Sequence, residues 1–522
     1  MSTKSVNTIR PANMAFGGRP MSEAIRELTQ EIQELYQADE VPWVVGYSGG
    51  KDSTAILQLV WIALAGLPSE ARTKTVYVIS TDTLVENPVV AAWVTQSLHT
   101  MAETAQAQGL PIEPHRLTPE VKDTFWVNLI GKGYPAPRPK FRWCTERLKI
   151  KPSNAFIRRV VRKHGEAILV LGIRKAESQA RARVMERLEK GRVRDRLSPN
   201  ASLPNSLVYS PIEAWTNDDV WLFLMQNQNP WGHPNKDLLT MYQGASADGE
   251  CPLVVDSTTP SCGDSRFGCW TCTLVDKDKS MSAMIQNDEE KEWMLPLLEL
   301  RNKLDVADDK PLRDFRRLSG GITLFHDQAV HGPYKQSARE NWLLEVLQAQ
   351  TWIRQEGPPH MRSIELISED ELHEIRRIWV FEKHEIEDSL PRIYTTVTGE
   401  TFPGTSLDEH IILGADDVEI LREICGDDDL HFEMTRSLIA VERRYRTMAR
   451  RAKLFETLEK TIRRSFYDGQ EDAEDRARTL GSARDLKTGA SRAMSLQPAN
   501  VGAPKDAVSF QGDLLEDSDE TD

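Results

Sequence analysis

No apolar run in the chain approaches the roughly 18 residues that a membrane span needs, and the first twenty residues lack the apolar core of a secretory leader. Neither insertion nor secretion is indicated, and the cytoplasm is the expected compartment. Cysteine is scarce, six in 522 residues, so the chain does not read as the disulfide framework of a small secreted domain. An excess of positive charge is missing as well. The net charge of −14 argues against a free-standing, non-specific nucleic-acid binder, whose phosphate affinity would come from clustered Lys and Arg. No internal repeat is present.

Hydrophobic residues make up 40% and charged residues 28%, enough apolar surface for a folded, globular chain. At 522 residues the chain is too long for one compact core, and two folded units with tails are expected. Ile25, Leu28, Ile32, Leu35 and Tyr36 recur at helical spacing behind Ser22, a candidate cap, and predict a helix over 22–37. Val41-Pro-Trp-Val-Val45, Thr75-Val-Tyr-Val-Ile79 and Ile168-Leu-Val-Leu-Gly172 read as strands separated by helices, which predicts an α/β fold with a doubly wound parallel sheet. The stretches 180–205 and 230–280 read as irregular, residues 284–467 as a mostly α-helical C-terminal region, and 468–522 as a disordered acidic tail. Residues 1–20 read as an irregular N-terminus.

Local charge departs from the global balance. Residues 138–163 hold ten Lys or Arg against one acid, Glu146, which suits either a surface facing a polyanion or a solvated helix face.

Ser48-Gly-Gly-Lys-Asp-Ser-Thr54 sits between a predicted strand and a predicted helix. Glycines let backbone amides close around phosphate oxygens, the helix start adds its dipole, and Lys51 and the hydroxyls add donors. It is not a Walker loop, because Asp52 follows Lys51 and Val45 holds the place of the first glycine. The seven residues resemble the PP-loop of the ATP pyrophosphatases, which implies that Ser48, Gly49, Gly50, Lys51, Asp52, Ser53 and Thr54 hold the β and γ phosphates of ATP with Mg2+. The second strand ends at Ser80-Thr-Asp-Thr-Leu-Val-Glu86, so Asp82 and Glu86 fall beside a ligand at the carboxyl edge, as magnesium or ribose ligands or as a cap.

Gly172-Ile-Arg-Lys-Ala-Glu-Ser178, with Arg181 beyond it, follows another predicted strand. Arg174 has the planar fork to grip a phosphate, with Glu177 and Ser178 orienting it or starting a helix. The stretch resembles the G-x-R-x-x-E-S motif of the phosphoadenylylsulfate reductase branch of PP-loop enzymes. Tyr209–Trp221 resembles a later strand and helix of that branch. With Lys51 and Asp52, Arg174 is the expected catalytic group, and Gly172 an ATP neighbour; the fold implied is adenine nucleotide α-hydrolase-like over 21–230.

Cys144 stands in Arg142-Trp-Cys-Thr-Glu-Arg-Leu-Lys149, and Cys251-x10-Cys262-x6-Cys269-x2-Cys272 forms a cysteine-rich segment within 231–283. A C-x-x-C pair brings two thiolates to one metal or cluster, and further cysteines complete four-fold ligation. Zinc and iron–sulfur both fit, and five candidates exceed four places. Cys425 reads as a packing residue. The segment Cys251–Cys272, the preceding motifs and Gly332-Pro-Tyr-Lys-Gln-Ser-Ala-Arg339 are similar to the DndC family of DNA phosphorothioation enzymes. That resemblance implies a [4Fe–4S] cluster on four of the five cysteines and ATP cleavage to AMP and pyrophosphate. It also implies sulfur from a cysteine desulfurase, other Dnd proteins as partners, and DNA as a substrate presented by one of them. A reductase of nucleotide-bound sulfate, a tRNA thiolase and a nucleotide-sensing scaffold are the rival readings.

Overall fold

The computed structural model describes residues 15–192, 194–200, 202–245, 267–326, 328–385, 387–404, 415–446, 448 and 451–479. Cys251 and Cys262 lie outside the described residues, as does the acidic stretch from 480 onward. Residues up to Gly321 together with His331–Phe466 form one compact unit. In the second unit, Leu324–Phe325 pairs antiparallel with Gln328–Ala329, and residues 470–479 are helical.

The first unit begins as an alternation of helix and strand: α1 (Met21–Gln37), β1 (Trp43–Gly46), α2 (Lys51–Ala65), β2 (Val76–Thr81), α3 (Pro88–Ala107) and β3 (Ile112–Leu117). It continues through α4 (Lys151–His164), β4 (Ala167–Val170), α5 (Gln179–Glu189), β5 (Ser198–Pro199), β6 (Ser206–Tyr209), α6 (Asn217–Gln226) and α7 (Asn235–Gly244). The strands form one sheet in the order β3-β2-β1-β4-β6-β5, all parallel except β5, which opposes β6. The expected doubly wound α/β sheet is present. Trp43 and Val45 pack on one face with Ile56, Val60 and Val220, while Val44 packs on the other with Tyr77, Leu169, Phe156 and Ile157. Burial on both faces explains the unbroken apolar character of β1, β2 and β4. Because β2 and β4 flank β1 on opposite sides, the winding reverses there, and a crevice opens beyond the carboxyl ends of β1 and β4.

Several local expectations change. Pro20, not Ser22, holds the position before α1, and no side chain caps it. β3 was not foreseen, so the strand at Ala167–Val170 is fourth in the chain. The stretch read as loop at 180–205 opens with α5, and that read as irregular at 230–280 opens with α7.

Helices α8 (Lys279–Asn287), α9 (Leu295–Leu304), α10 (Gln336–Glu356), α11 (Glu369–Arg377), α12 (Ser389–Thr398), α13 (Ala415–Cys425), α14 (Asp429–Arg446) and α15 (Leu454–Ser465) make the C-terminal region helical, as expected. Its core takes in the segment between β3 and α4. Phe125, Trp126, Leu129 and Ile130 pack with Leu297, Leu343, Leu347 and Ile375. Trp126 Nε1 donates to the Leu366 carbonyl at 2.6 Å, and Trp379 Nε1 to the Ile130 carbonyl at 3.0 Å. The Gly332–Arg339 stretch belongs to the same join. The Tyr334 hydroxyl accepts from the Ala136 amide at 3.1 Å, and Arg339 forms a buried ion pair with Glu385. Among the described residues, no helix is long and apolar enough to cross a membrane.

Candidate functional site

At the end of β1 the chain turns through Ser48, Gly49 and Gly50 and enters α2 at Lys51. Gly49 has φ of 75°, and a Cβ there would stand 2.4 Å from Val94, so glycine is required for both reasons. Hydroxyls close the turn. The Ser48 amide donates to Ser53 Oγ at 3.2 Å, and Ser53 Oγ and Thr54 Oγ1 donate to the Gly50 carbonyl at 3.0 and 2.9 Å. Thr54 is 1% exposed, its hydroxyl turned to the helix. The Lys51 ammonium lies 3.5 Å from Asp52 Oδ2.

β4 supplies the other wall. A Cβ on Gly172 would sit 3.0 to 3.1 Å from backbone atoms of Asp52 and Ser53, so this glycine lets β4 and the loop touch. Two residues on, Arg174 is 4% exposed and reaches across the crevice, its Nε donating to Asp52 Oδ1 at 2.6 Å. Glu177 accepts from the Arg174 amide at 3.0 Å, and Ser178 caps α5 by accepting from the Arg181 amide at 3.2 Å. Glu177 therefore fixes the backbone at Arg174, and Ser178 starts α5. The crevice presents helix-start amides, a lysine, hydroxyls and an arginine, a set suited to an anion with several oxygens.

β2 ends in a different environment. Asp82 accepts from the Leu84 amide at 2.9 Å and pairs with Arg116, which makes it a turn-forming residue in this structure. The following residues lead to the cysteines. Glu86 forms a β-bridge with Cys269, lies 3.3 Å from the Lys149 ammonium and accepts from Thr83 Oγ1 at 3.0 Å. Thr83 Oγ1 is 3.3 Å from Cys269 Sγ, and the Trp270 amide donates to the Val85 carbonyl at 2.9 Å.

Cys269 and Cys272 bracket a tight turn in which the Cys272 amide donates to the Cys269 carbonyl at 3.1 Å. Burial raises the Cys144 thiol, with Cys272 adding to it. Burial, then Glu86, pushes the Cys269 thiol up to about 12. Burial opposes the charge on Lys149, but Cys269 and Glu86 outweigh it and raise its pKa. Cys144, Cys269 and Cys272, three of the five expected ligands, thus share one electrostatic neighbourhood with Lys149; Cys425 closes α13 elsewhere. Among the described residues, no three His, Cys, Asp or Glu side chains gather around a point that could hold a metal ion. Thiol donors beside a lysine that offsets thiolate charge fit a metal ion or an iron–sulfur group.

Two groups that matter here were not picked out from the sequence. Arg301 of α9 is 1% exposed and donates to the carbonyls of Cys272 at 2.9 Å and Asp276 at 3.1 Å, and to that of Val275. It pins the chain that leaves the C-x-x-C turn, and nothing local marks it. Tyr242 of α7 accepts from the Lys51 amide at 3.4 Å. Its signal was the Leu238–Tyr242 spacing behind Pro234 inside a stretch read as irregular.

Fold and crevice together define an α/β domain with an anion loop at a topological switch point. Residues 42–274 match the family model described as the phosphoadenosine phosphosulfate reductase domain, and the sheet with its flanking helices has that fold. Over 200 residues the chain is 28% identical to an uncharacterised protein of Methanocaldococcus jannaschii, a match covering 38% of this chain and 35% of that protein. The chain thus spans about a third of that relative's length. A similar solved structure is the U34-tRNA thiolase NcsA from Methanococcus maripaludis with its [4Fe–4S] cluster. It shares 16% identity at a TM-score of 0.26, covering 52% of this chain and 80% of that one.

Proposed function

We propose that the chain is an ATP-dependent sulfurtransferase of DNA phosphorothioate modification, cleaving ATP to AMP and pyrophosphate to activate a backbone phosphate for sulfur insertion. The observation that carries this reading is that both sites lie on one edge of the sheet. β1 runs into the phosphate loop, β4 runs to Gly172 and Arg174 facing it, and β2 runs through Thr83–Glu86 to Cys269. The match to the phosphoadenosine phosphosulfate reductase domain supports nucleotide use joined to sulfur chemistry.

A phosphodiester oxygen is a poor leaving group. In the first step an acceptor phosphate oxygen bonds to the α phosphorus of ATP, the bond to the bridging oxygen of the β phosphate breaks, and pyrophosphate departs. Loop amides, Lys51 and Arg174, with Mg2+, offset the charge that builds on it. Sulfide, released when a thiol reductant supplies two electrons to the persulfide made by a cysteine desulfurase, then attacks the acceptor phosphorus, and AMP leaves with the former acceptor oxygen. Asp52 holds Arg174 and Lys51 in place. Four of Cys144, Cys251, Cys262, Cys269 and Cys272 would hold a [4Fe–4S] cluster, which when bound supplies an iron site for inorganic sulfur. Other Dnd proteins would present the DNA.

The test incubates anaerobic protein with ATP and reads pyrophosphate and iron on one sample, with about four irons per chain expected for a cubane. Nuclease-digested DNA from cells with and without the gene is then examined by mass spectrometry. Pyrophosphate release and phosphorothioate dinucleotides that vanish with the gene are expected. Thiolated tRNA bases vanishing instead would replace the DNA reading with the thiolase one.

A further inference from the structure

Helix α7 is bolted to the helix of the phosphate loop. Gln58 Nε2 donates to Asn235 Oδ1 at 2.6 Å, and Asn235 Nδ2 returns a bond to Gln58 Oε1 at 3.2 Å. Two turns on, Tyr242 is 6% exposed, with its phenol oxygen 3.4 Å from the Lys51 amide and its ring 5.4 Å from the Lys51 ammonium. A Cβ at Gly50 would lie 3.3 Å from the same oxygen. The phenol thus stands at an amide that an anion-binding loop uses for phosphate. Beside it, Trp93 Nε1 would be 3.7 Å from a Cβ at Gly49, and His233 stacks on Trp93 with ring centroids 3.8 Å apart. Among the described residues, Trp93 Nε1 and His233 Nδ1 are buried polar atoms that no hydrogen bond satisfies. Such atoms are costly unless a ligand satisfies them. The Tyr242 ring also packs at right angles to that of Phe267, two residues before Cys269, with ring centroids 4.6 Å apart.

We propose that Tyr242 serves both sites: its hydroxyl binds the pyrophosphate part of the nucleotide beside Trp93 and His233, and its ring seats Phe267 and hence the Cys269–Cys272 turn. The inference rests on the ATP-cleaving reading given above.

Full-length Tyr242→Phe keeps the ring and removes only the hydroxyl. Binding of pyrophosphate with magnesium, measured by calorimetry, and kcat/KM for ATP are both expected to fall by about tenfold, with iron content unchanged; this is the size expected for one hydrogen bond to a charged group. Tyr242→Ala is expected to lower the iron content as well. Unchanged pyrophosphate binding and ATP cleavage in Tyr242→Phe overturn the first half, and full iron in Tyr242→Ala overturns the second. Lys51→Ala separates the two levels. If it loses pyrophosphate binding while Tyr242→Phe keeps it, only this inference fails; if it also binds and cleaves as the parent does, the ATP reading fails with it.

Discussion

The phosphate loop and the cysteine cluster are built in opposite ways. The loop is seven consecutive residues whose own hydroxyls close it, and long-range help comes chiefly from Arg174 and Gly172 across the crevice. The cysteine region is assembled from Thr83–Glu86, Cys144–Lys149 and Phe267–Cys272, pinned from outside by Arg301. A site made of contiguous backbone can fail by one side chain without disturbing its surroundings. A site gathered from three distant segments depends on the helical region that gathers them.

That contrast is broken most sharply by disabling each site separately. Lys51→Ala is expected to reduce pyrophosphate release at least a hundredfold, the scale seen when one preorganised charge donor is removed, while iron content stays at the parent level. Cys269→Ser or Cys272→Ser is expected to lose the metal. Iron lost together with ATP cleavage in Lys51→Ala would show that the two sites do not fail independently.

Arg301 tests the dependence of the cysteine region on α9. Its guanidinium satisfies carbonyls of three residues, and each such group left buried without a donor costs about 1–3 kcal/mol. Arg301→Leu is expected to lose most of the iron while pyrophosphate release is retained. Arg301→Lys keeps the charge but not the fork and is expected to fall between the two. Normal iron content in both variants would remove Arg301 from the account.

The same contrast explains what could be read in the sequence. α1, α2, α3 and the strands β1, β2 and β4 carry strong periodicity or unbroken apolar runs because they are buried, and the loop motif is contiguous, so the switch-point crevice was legible. β3 was not. Ile112-Glu-Pro-His-Arg-Leu117 is an edge strand with only its ends buried, where proline is tolerated because one side of the strand needs no ladder bond. α5 buries only Met185 and so shows no apolar stripe. The link between Phe125–Ile130 and the C-terminal helices is a contact between segments more than 150 residues apart, and no local pattern encodes it. Asp82 shows the reverse limit: its position at a strand end was read correctly, but its partner Arg116 lies on the unforeseen β3.

The smallest expected effect concerns the basic segment, which divides when its contacts are considered. Arg138, Arg147, Lys149 and Lys151 are tied to Asp309, Asp123, Glu86 and Asp123. Arg158, Arg159, Arg162 and Lys163 lie exposed on α4 and form no ion pair among the described residues. Arg158 and Arg162 border a shallow groove of about 130 Å³ floored by Ile157, Val161, Leu203 and Pro204. Were this face simply solvated, neutralising it would leave DNA association unchanged. If it meets the DNA backbone, each lost contact flattens the slope of log affinity against log salt by about 0.9. The triple variant Arg158→Gln, Arg159→Gln, Arg162→Gln is therefore expected to flatten that slope by roughly 2 to 3, and to lower sulfur incorporation several-fold at moderate salt. Iron content and pyrophosphate release should stay at parent levels, because α4 packs under the sheet through Phe156, Ile157 and Val160 and supplies neither site. An unchanged slope would assign these arginines to solvent and leave DNA contact to the partner proteins alone.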